Sequence, residues 1–237
     1  MFFSRSEVLP GVSVAFTDTS AGNLALHVGD NPADVIRRRE GLERAMGASP
    51  GSLRFMDQVH GTSVALMEAG TPAPEADAMV SQGLPLAVMV ADCIPVLLVG
   101  KAPSGPVLAA VHAGRPGIAN GIIPSAVDRM RSLGASGIRA WLGPSICGAC
   151  YEVPAALQAA VASAVPATWS TTSWGTPALD LPAGARSQLE AADVVVEYAG
   201  ACTLENDALY SYRRNSRTGR FAGVVWQHEG KPCGEGR

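Results

Sequence analysis

Charge is scarce in this chain. Only 16% of its 237 residues are Asp, Glu, Lys or Arg, and the net charge is −3 at pH 7. With no basic excess to neutralise a phosphate backbone, nucleic acid is not an expected partner. Long apolar runs are missing as well. The longest, around residues 84–100, carries Asp92 and falls short of the roughly 20 residues that cross a bilayer, so no membrane span is expected. The opening MFFSRSEVLPG lacks a basic segment followed by an apolar one, and no signal peptide is read there. The five cysteines (Cys93, Cys147, Cys150, Cys202, Cys233) are odd in number. Without a secretion signal, that argues against a disulfide framework and for reduced thiols in a cytoplasm. Histidines number four: His27, His60, His112 and His228.

What the chain does have is apolar content, at 47%, enough to bury a full core. No internal repeat and no linker composition interrupts it, which favours one α+β domain over residues 1–226, with a polar, Gly-rich, frayed tail at 227–237. The reading centres on residues 86–114, LAVMVADCIPVLLVGKAPSGPVLAAVHAG. Three short apolar runs there, 86–91, 94–99 and 107–111, read as buried strands. Further strands are expected at 12–17, 24–28, 53–59, 64–67, 138–142, 194–198 and 221–226. Helices are expected at 33–46, 117–133 (starting at Pro124 if that residue ends the earlier part), 154–165 and 183–192. The arginines of the first helix, Arg37, Arg38, Arg39 and Arg44, read as a solvated face.

Asp92 and Cys93 interrupt one apolar run, and His112 closes another. A buried carboxylate or thiolate must be paired, hydrogen-bonded or metal-bound, so this is where a site is sought. His60, Cys93 and His112 each fall at or near a strand end. Two imidazoles and a thiolate suit zinc with an open fourth position, but the spacings of 33 and 19 residues require tertiary assembly. The same residues could form a Cys–His nucleophilic dyad, and sequence does not separate the two. Cys147-Gly-Ala-Cys150 is a single C-x-x-C with no second pair of cysteines at ribbon spacing, and reads as two ordinary buried thiols. In Tyr210-Ser-Tyr212-Arg213-Arg214-Asn215, guanidinium could clamp phosphate and tyrosine could stack on a base, or the arginines could simply be exposed.

Taken in order, the motifs resemble a known family. They are Asn23-Leu24 with His27-Val28-Gly29-Asp30, Gln58-Val59-His60-Gly61, Ala76-Asp77-Ala78-Met79-Val80, Ala91-Asp92-Cys93-Ile94-Pro95-Val96 and Val111-His112-Ala113-Gly114. Gly143-Pro144-Ser145-Ile146, Tyr151-Glu152-Val153, Cys202-Thr203, Ser211-Tyr212-Arg213-Arg214 and Thr218-Gly219-Arg220 follow. The set is similar to the YfiH-type proteins, once called multicopper polyphenol oxidases or laccase-domain proteins and now regarded as zinc-dependent purine nucleoside phosphorylases.

The resemblance implies a layered α/β/β/α sandwich of two mixed sheets flanked by helices. It implies zinc (copper as a lesser alternative) held by His60, Cys93 and His112, which would be the catalytic residues. The implied partners are a purine nucleoside and phosphate. The implied reactions are phosphorolysis of adenosine, inosine and methylthioadenosine, with adenosine deamination as a second activity. Arg213 and Arg214 become candidates for the anion, Asp92 for orienting a ligand histidine, and Gln58, His27 and Asp77 for base or ribose contacts. Where the family has His-Ala-Gly-Trp-Arg-Gly, this chain has His112-Ala-Gly114-Arg115-Pro116-Gly117, which puts in question whether Arg115 reaches the usual point. Three rivals stay open: a Cys93 hydrolase acting on amides, including cell-wall precursors; a copper phenol oxidase, for which four histidines are few; and a structural-zinc protein in which Cys147 or Cys150 supplies the fourth ligand. Oligomeric state is left open.

Overall fold

In the strand Ile94–Ala102, Ile94, Val96 and Leu98 face one apolar cluster and Leu97 and Val99 another, and all are buried. A strand buried on both faces needs a cover on each, and that requirement sets the layering. The computed structural model describes residues 1–198, 200–228 and 230. Along them run β1 (Phe2–Leu9), β2 (Val12–Thr17), α1 (Pro32–Met46), β3 (Val64–Met67), β4 (Ala78–Ser81) and β5 (Leu86–Val90). Next come β6 (Ile94–Ala102), β7 (Gly105–Ala113), α2 (Arg115–Asn120), α3 (Ile122–Ser132), β8 (Ser136–Leu142) and α4 (Ala155–Ala164). The last are β9 (Trp169–Thr171), β10 (Pro177–Leu179), α5 (Leu181–Ala191), β11 (Val195–Tyr198) and β12 (Phe221–Gln227).

Six strands form a mixed sheet in the order β11-β8-β6-β7-β4-β3, parallel only at its two outer pairs. Four form a second sheet, β1-β2-β12-β5. That sheet is antiparallel throughout, as is the two-stranded β9-β10 sheet, so among the described residues only the six-stranded sheet is mixed. Between them lies a core built from Val14, Phe16, Val88, Val90, Leu97, Leu108, Phe221 and Val225. Helices α2, α3 and α5 cover the far face of the larger sheet through Ile118, Ile123, Val127, Leu181 and Leu189. Helix α1 covers the smaller one, packing Leu42 and Met46 with Met89, Val224 and Trp226. Each fully buried large side chain is worth about 1.5–3 kcal/mol in apolar area. The expected helix–sheet–sheet–helix layering is therefore what the chain adopts.

Several expectations are corrected. Residues 24–28 and 53–59 are not strands; the latter makes only isolated bridges, Arg54 to Leu86 and Asp57 to Glu75. The 117–133 helix is two helices, because Gly121 takes φ 86° between them, with Pro124 in the first turn of α3. Helix α1 is capped by Asn31, whose side chain accepts from the Ala33 N–H, but its arginine face is not all wet. Arg39 lies over the Phe55 ring, 3.7 Å from its centroid, donates to the Leu24 carbonyl, and burial lowers its pKa to about 10. Arg38 pairs with Asp30 and the Asn23 carbonyl. At the C-terminus, β12 extends to Gln227, and His228 donates its N–H to the Gly11 carbonyl at 2.7 Å. The remainder of the tail expectation (Glu229 and residues 231–237) lies outside the described residues.

Candidate metal centre and its cleft

Strand pairing brings the central residues together. β6 and β7 are antiparallel with Ile94 opposite Ala113 and Pro95 opposite His112, so Cys93, just before β6, and His112, near the end of β7, lie at the same end of this central strand pair. His60 arrives on the loop before β3, in the left-handed region at φ 60°. The sulfur and imidazole nitrogens of His60, Cys93 and His112 all lie within 4.8 Å of one another. Cys93 Sγ is 3.8 Å from His60 Nε2. Two ligands of one tetrahedral zinc, bound at about 2.0–2.3 Å, would be about 3.6 Å apart, so the donors fit such an ion. Gly114 leaves the room: a Cβ there would stand 2.9 Å from His60 Cδ2 and 3.3 Å from Cys93 Sγ.

One carboxylate holds both histidines. Asp77, fully buried just before β4, accepts from His112 Nδ1 at 2.7 Å, from the His60 N–H at 2.9 Å and from the Gly61 N–H at 2.6 Å. This fixes the His112 tautomer and leaves Nε2 as its free donor atom. Asp77 thus holds both histidines and is not among the residues lining the cavity, where a base or ribose contact was expected of it. The contact with a histidine expected of Asp92 is made by Asp77. Asp92 instead accepts from the Thr203 hydroxyl and the Arg213 N–H, both at 2.6 Å, from a backbone with φ 86°. Burial by itself would raise the Cys93 thiol, but the His112 charge and hydrogen bonds from both imidazoles bring it down to about 6. Burial would likewise lower His112, yet the Cys93 charge and the Asp77 hydrogen bond push it up to about 9. Both shifts run in the direction that favours a thiolate beside an imidazolium when no metal holds the pair.

The triad opens into a cavity of about 690 Å³, the size of a small-molecule site. Arg115, Arg213 and Arg220 line it, with Tyr151, Tyr212, His27, Gln58 and Asp92. Despite its displaced position, Arg115 reaches the cavity at the start of α2 and faces the Tyr151 phenol. Arg213 lies over the Tyr151 ring at 5.1 Å and Arg220 over the Tyr212 ring at 5.9 Å. Arg214 is elsewhere engaged: its guanidinium donates to the carbonyls of Thr203, Leu204, Asn206 and Leu209. Gln58 lines the cavity while both ends of its amide pair with the Met89 backbone, at 2.7 and 2.9 Å. Tyr151 and Arg220 were not singled out from sequence, although both sit inside the motif segments quoted above. Cys147 and Cys150 are not in this triad; they meet Cys202 and Glu205 in a separate cluster.

Fold and donor set together define a single-domain α+β protein with a His–Cys–His group that could hold a metal ion beside a pocket of small-molecule size. The chain belongs to the family described as multi-copper polyphenol oxidoreductase laccase, whose model matches residues 2–228. It is 47% identical to a purine nucleoside phosphorylase of Streptomyces griseus over 230 residues, covering 90% of this chain and 93% of the relative. It is 44% identical to one from Streptomyces coelicolor, covering 94% and 98%. Among solved structures, it superposes on NMB0706 of Neisseria meningitidis with a TM-score of 0.82 at 33% identity, covering 95% of this chain and 98% of that one. It superposes on YfiH of Bacillus licheniformis with a TM-score of 0.80 at 26% identity, covering 91% and 92%.

Among the described residues, no helix is long and apolar enough to cross a membrane. His228 shares a hydrogen bond with Ser13 at 2.8 Å.

Proposed function

We propose that the chain is a zinc-dependent purine nucleoside phosphorylase acting on adenosine, inosine or methylthioadenosine, with adenosine deamination at the same site. The observation that carries this is the convergence of the His60–Cys93–His112 donors with three arginines and two tyrosines around one cavity. Identity of 44–47% to proteins named for this activity supports it.

His60 Nε2, Cys93 Sγ and His112 Nε2 would hold the zinc, which when bound supplies Lewis acidity at a substrate atom. In phosphorolysis, a phosphate oxygen forms a bond to the ribose C1′ while the bond from C1′ to the purine nitrogen breaks. The electron pair leaves with the base, which takes up the proton that hydrogen phosphate gives up, directly or through solvent. The protein must therefore hold a dianion next to a neutral leaving group. Arg115, Arg213 and Arg220 supply the positive field, and a guanidinium can present two parallel N–H bonds to phosphate. Tyr151 and Tyr212 offer faces for the purine. Asp92 fixes the backbone of Arg213 and so places one end of the anion site relative to Cys93. In deamination, water adds at the purine C6 and ammonia leaves, which needs the metal-binding donors but no phosphate.

The test is base release from inosine and adenosine, with and without phosphate, on metal-assayed protein. Phosphate-dependent release that is lost in His60→Ala supports the reading; no release from metal-loaded protein overturns it. A second reading draws on the depressed Cys93 thiol 3.8 Å from His60 Nε2: a Cys93 amide hydrolase. It requires activity that survives chelation and is abolished by alkylating Cys93.

A further inference from the structure

Cys147, Cys150, Cys202 and Glu205 bring three sulfurs and a carboxylate oxygen within 4.8 Å of one another, apart from the triad. The first two stand on the turn after Gly143-Pro144-Ser145-Ile146, the others on the loop between β11 and β12. An isolated parallel bridge fastens the two segments: Ser145 N–H donates to the Ala201 carbonyl at 3.2 Å, and Thr203 N–H to the Ser145 carbonyl at 3.1 Å. Cys147 N–H points at Cys202 Sγ (3.4 Å), and Cys150 Sγ lies 3.4 Å from Glu205 Oε1. Cys150 is buried, Cys147 and Cys202 are half-buried, and Glu205 is exposed, so the carboxylate closes the solvent side.

The spacing carries the inference. Cys147-x-x-Cys150 is matched by Cys202-x-x-Glu205, so two loops each offer a pair of donors three residues apart. That is the arrangement of a zinc ribbon, with glutamate in place of the fourth cysteine, which is why a search for cysteine pairs alone misses it. Three ordinary thiols would not need a carboxylate converging on them. One disulfide would leave the third sulfur and the carboxylate unused. A thiolate-rich, four-donor set suits a borderline-soft ion of closed tetrahedral geometry.

We propose that Cys147, Cys150, Cys202 and Glu205 form a second, structural zinc site. Binding would displace the three thiol protons to solvent and leave no open coordination position. The ion would clamp the two loops that support the cleft. Ile146 N–H donates to the Asp92 carbonyl at 3.0 Å, and the Thr203 hydroxyl bonds the Asp92 carboxylate at 2.6 Å. Asp92, next to Cys93, in turn holds the Arg213 backbone.

The experiment is metal stoichiometry on four full-length chains: wild type, His60→Ala/Cys93→Ala, Cys147→Ser/Cys202→Ser, and the quadruple variant. Each cluster should account separately for about one zinc per chain. The His60→Ala/Cys93→Ala protein should therefore retain about one equivalent and the quadruple variant none, whether or not the triad binds metal. Should the serine variants fail to fold, Glu205→Gln in the His60→Ala/Cys93→Ala background keeps all three thiols. It should weaken zinc retention against a chelator at least tenfold. Alkylation mapping gives a further reading: Cys147, Cys150 and Cys202 should be protected until chelator is added. Equal metal content with and without Cys147→Ser/Cys202→Ser overturns the site, as does a disulfide among these three cysteines in protein purified without reductant.

Discussion

Asp77 Oδ1 lies 2.7 Å from His112 Nδ1, 35 residues away in sequence, and the same carboxylate receives the His60 and Gly61 N–H groups. One buried anion thus sets the ring of one candidate ligand and the backbone of another. In Asp77→Asn, an amide NH₂ or a weaker carbonyl acceptor would face these donors, and His112 would lose its preference for the Nε2 lone pair. Removing such a partner of a ligand histidine costs about 10–100-fold in metal affinity. Competition against a chromophoric chelator reads this directly, and unchanged affinity would show that Asp77 does not position the triad.

The thiolate–imidazolium pair predicts how metal binding depends on pH. Folded and metal-free, Cys93 titrates at about 6 and His112 at about 9. Between about pH 7 and pH 9 the thiol is already ionised, but His112 must still give up its Nε2 proton to bind. Zinc affinity should therefore rise about tenfold per pH unit across that window and level off above it. Calorimetry in buffers of different ionisation enthalpy should count close to one proton released at the triad, using the Cys147→Ser/Cys202→Ser chain to remove the other cluster. A flat profile would mean that the pair is not charged in the metal-free protein.

Much of the scaffold could be read from sequence because it follows short-range rules. β5, β6 and β7 are bounded apolar runs, and α1 has Asn31, Pro32 and Gly47 where a helix begins and ends. β1 escaped notice because FFSRSEVL is an edge strand whose central residues are polar and exposed. Residues 53–59 look like a strand, yet their backbone-to-backbone bonds are confined to Arg54, with Pro85 and Ala87, and Asp57, with Pro74 and Ala76, and build no ladder. At the site, residue chemistry and family resemblance singled out His60, Cys93 and His112, which the fold brings together. Which acid serves His112 was not legible, since Asp77 and Asp92 both flank strands and only the three-dimensional pairing distinguishes them.

Arg213 and Arg214 are adjacent and alike in sequence but divide in space. Arg213 lines the cavity, whereas Arg214 donates to four loop carbonyls. Losing one hydrogen-bonding partner of a charged ligand costs about 1.5–3 kcal/mol, so Arg213→Ala should raise the KM for phosphate roughly 10–100-fold. Arg214→Ala should leave that KM nearly unchanged while lowering the melting temperature, because the 203–209 loop loses its tie. Steady-state kinetics at varied phosphate and a thermal melt separate the two. A phosphate KM raised equally in both variants would refute this division.

Gly114 is a steric requirement and not a conformational one. Its φ of −78° and ψ of 168° suit alanine without strain, so Gly114→Ala tests space alone. The new methyl would press on His60 Cδ2 at 2.9 Å, Cys93 Sγ at 3.3 Å and His112 Cε1 at 3.6 Å. His112 lies within β7 and Cys93 directly precedes β6, whereas His60 is exposed on a loop. The His60 ring is therefore the group that yields, and it moves away from the other two donors. Zinc affinity at the triad should fall on the order of tenfold or more, a loss of the size that disturbed ligand orientation produces. The melting temperature in chelator should change little, since the displaced ring has solvent to move into. Gly114→Ala protein that binds zinc as tightly as wild type would show that the three donors do not close on one ion.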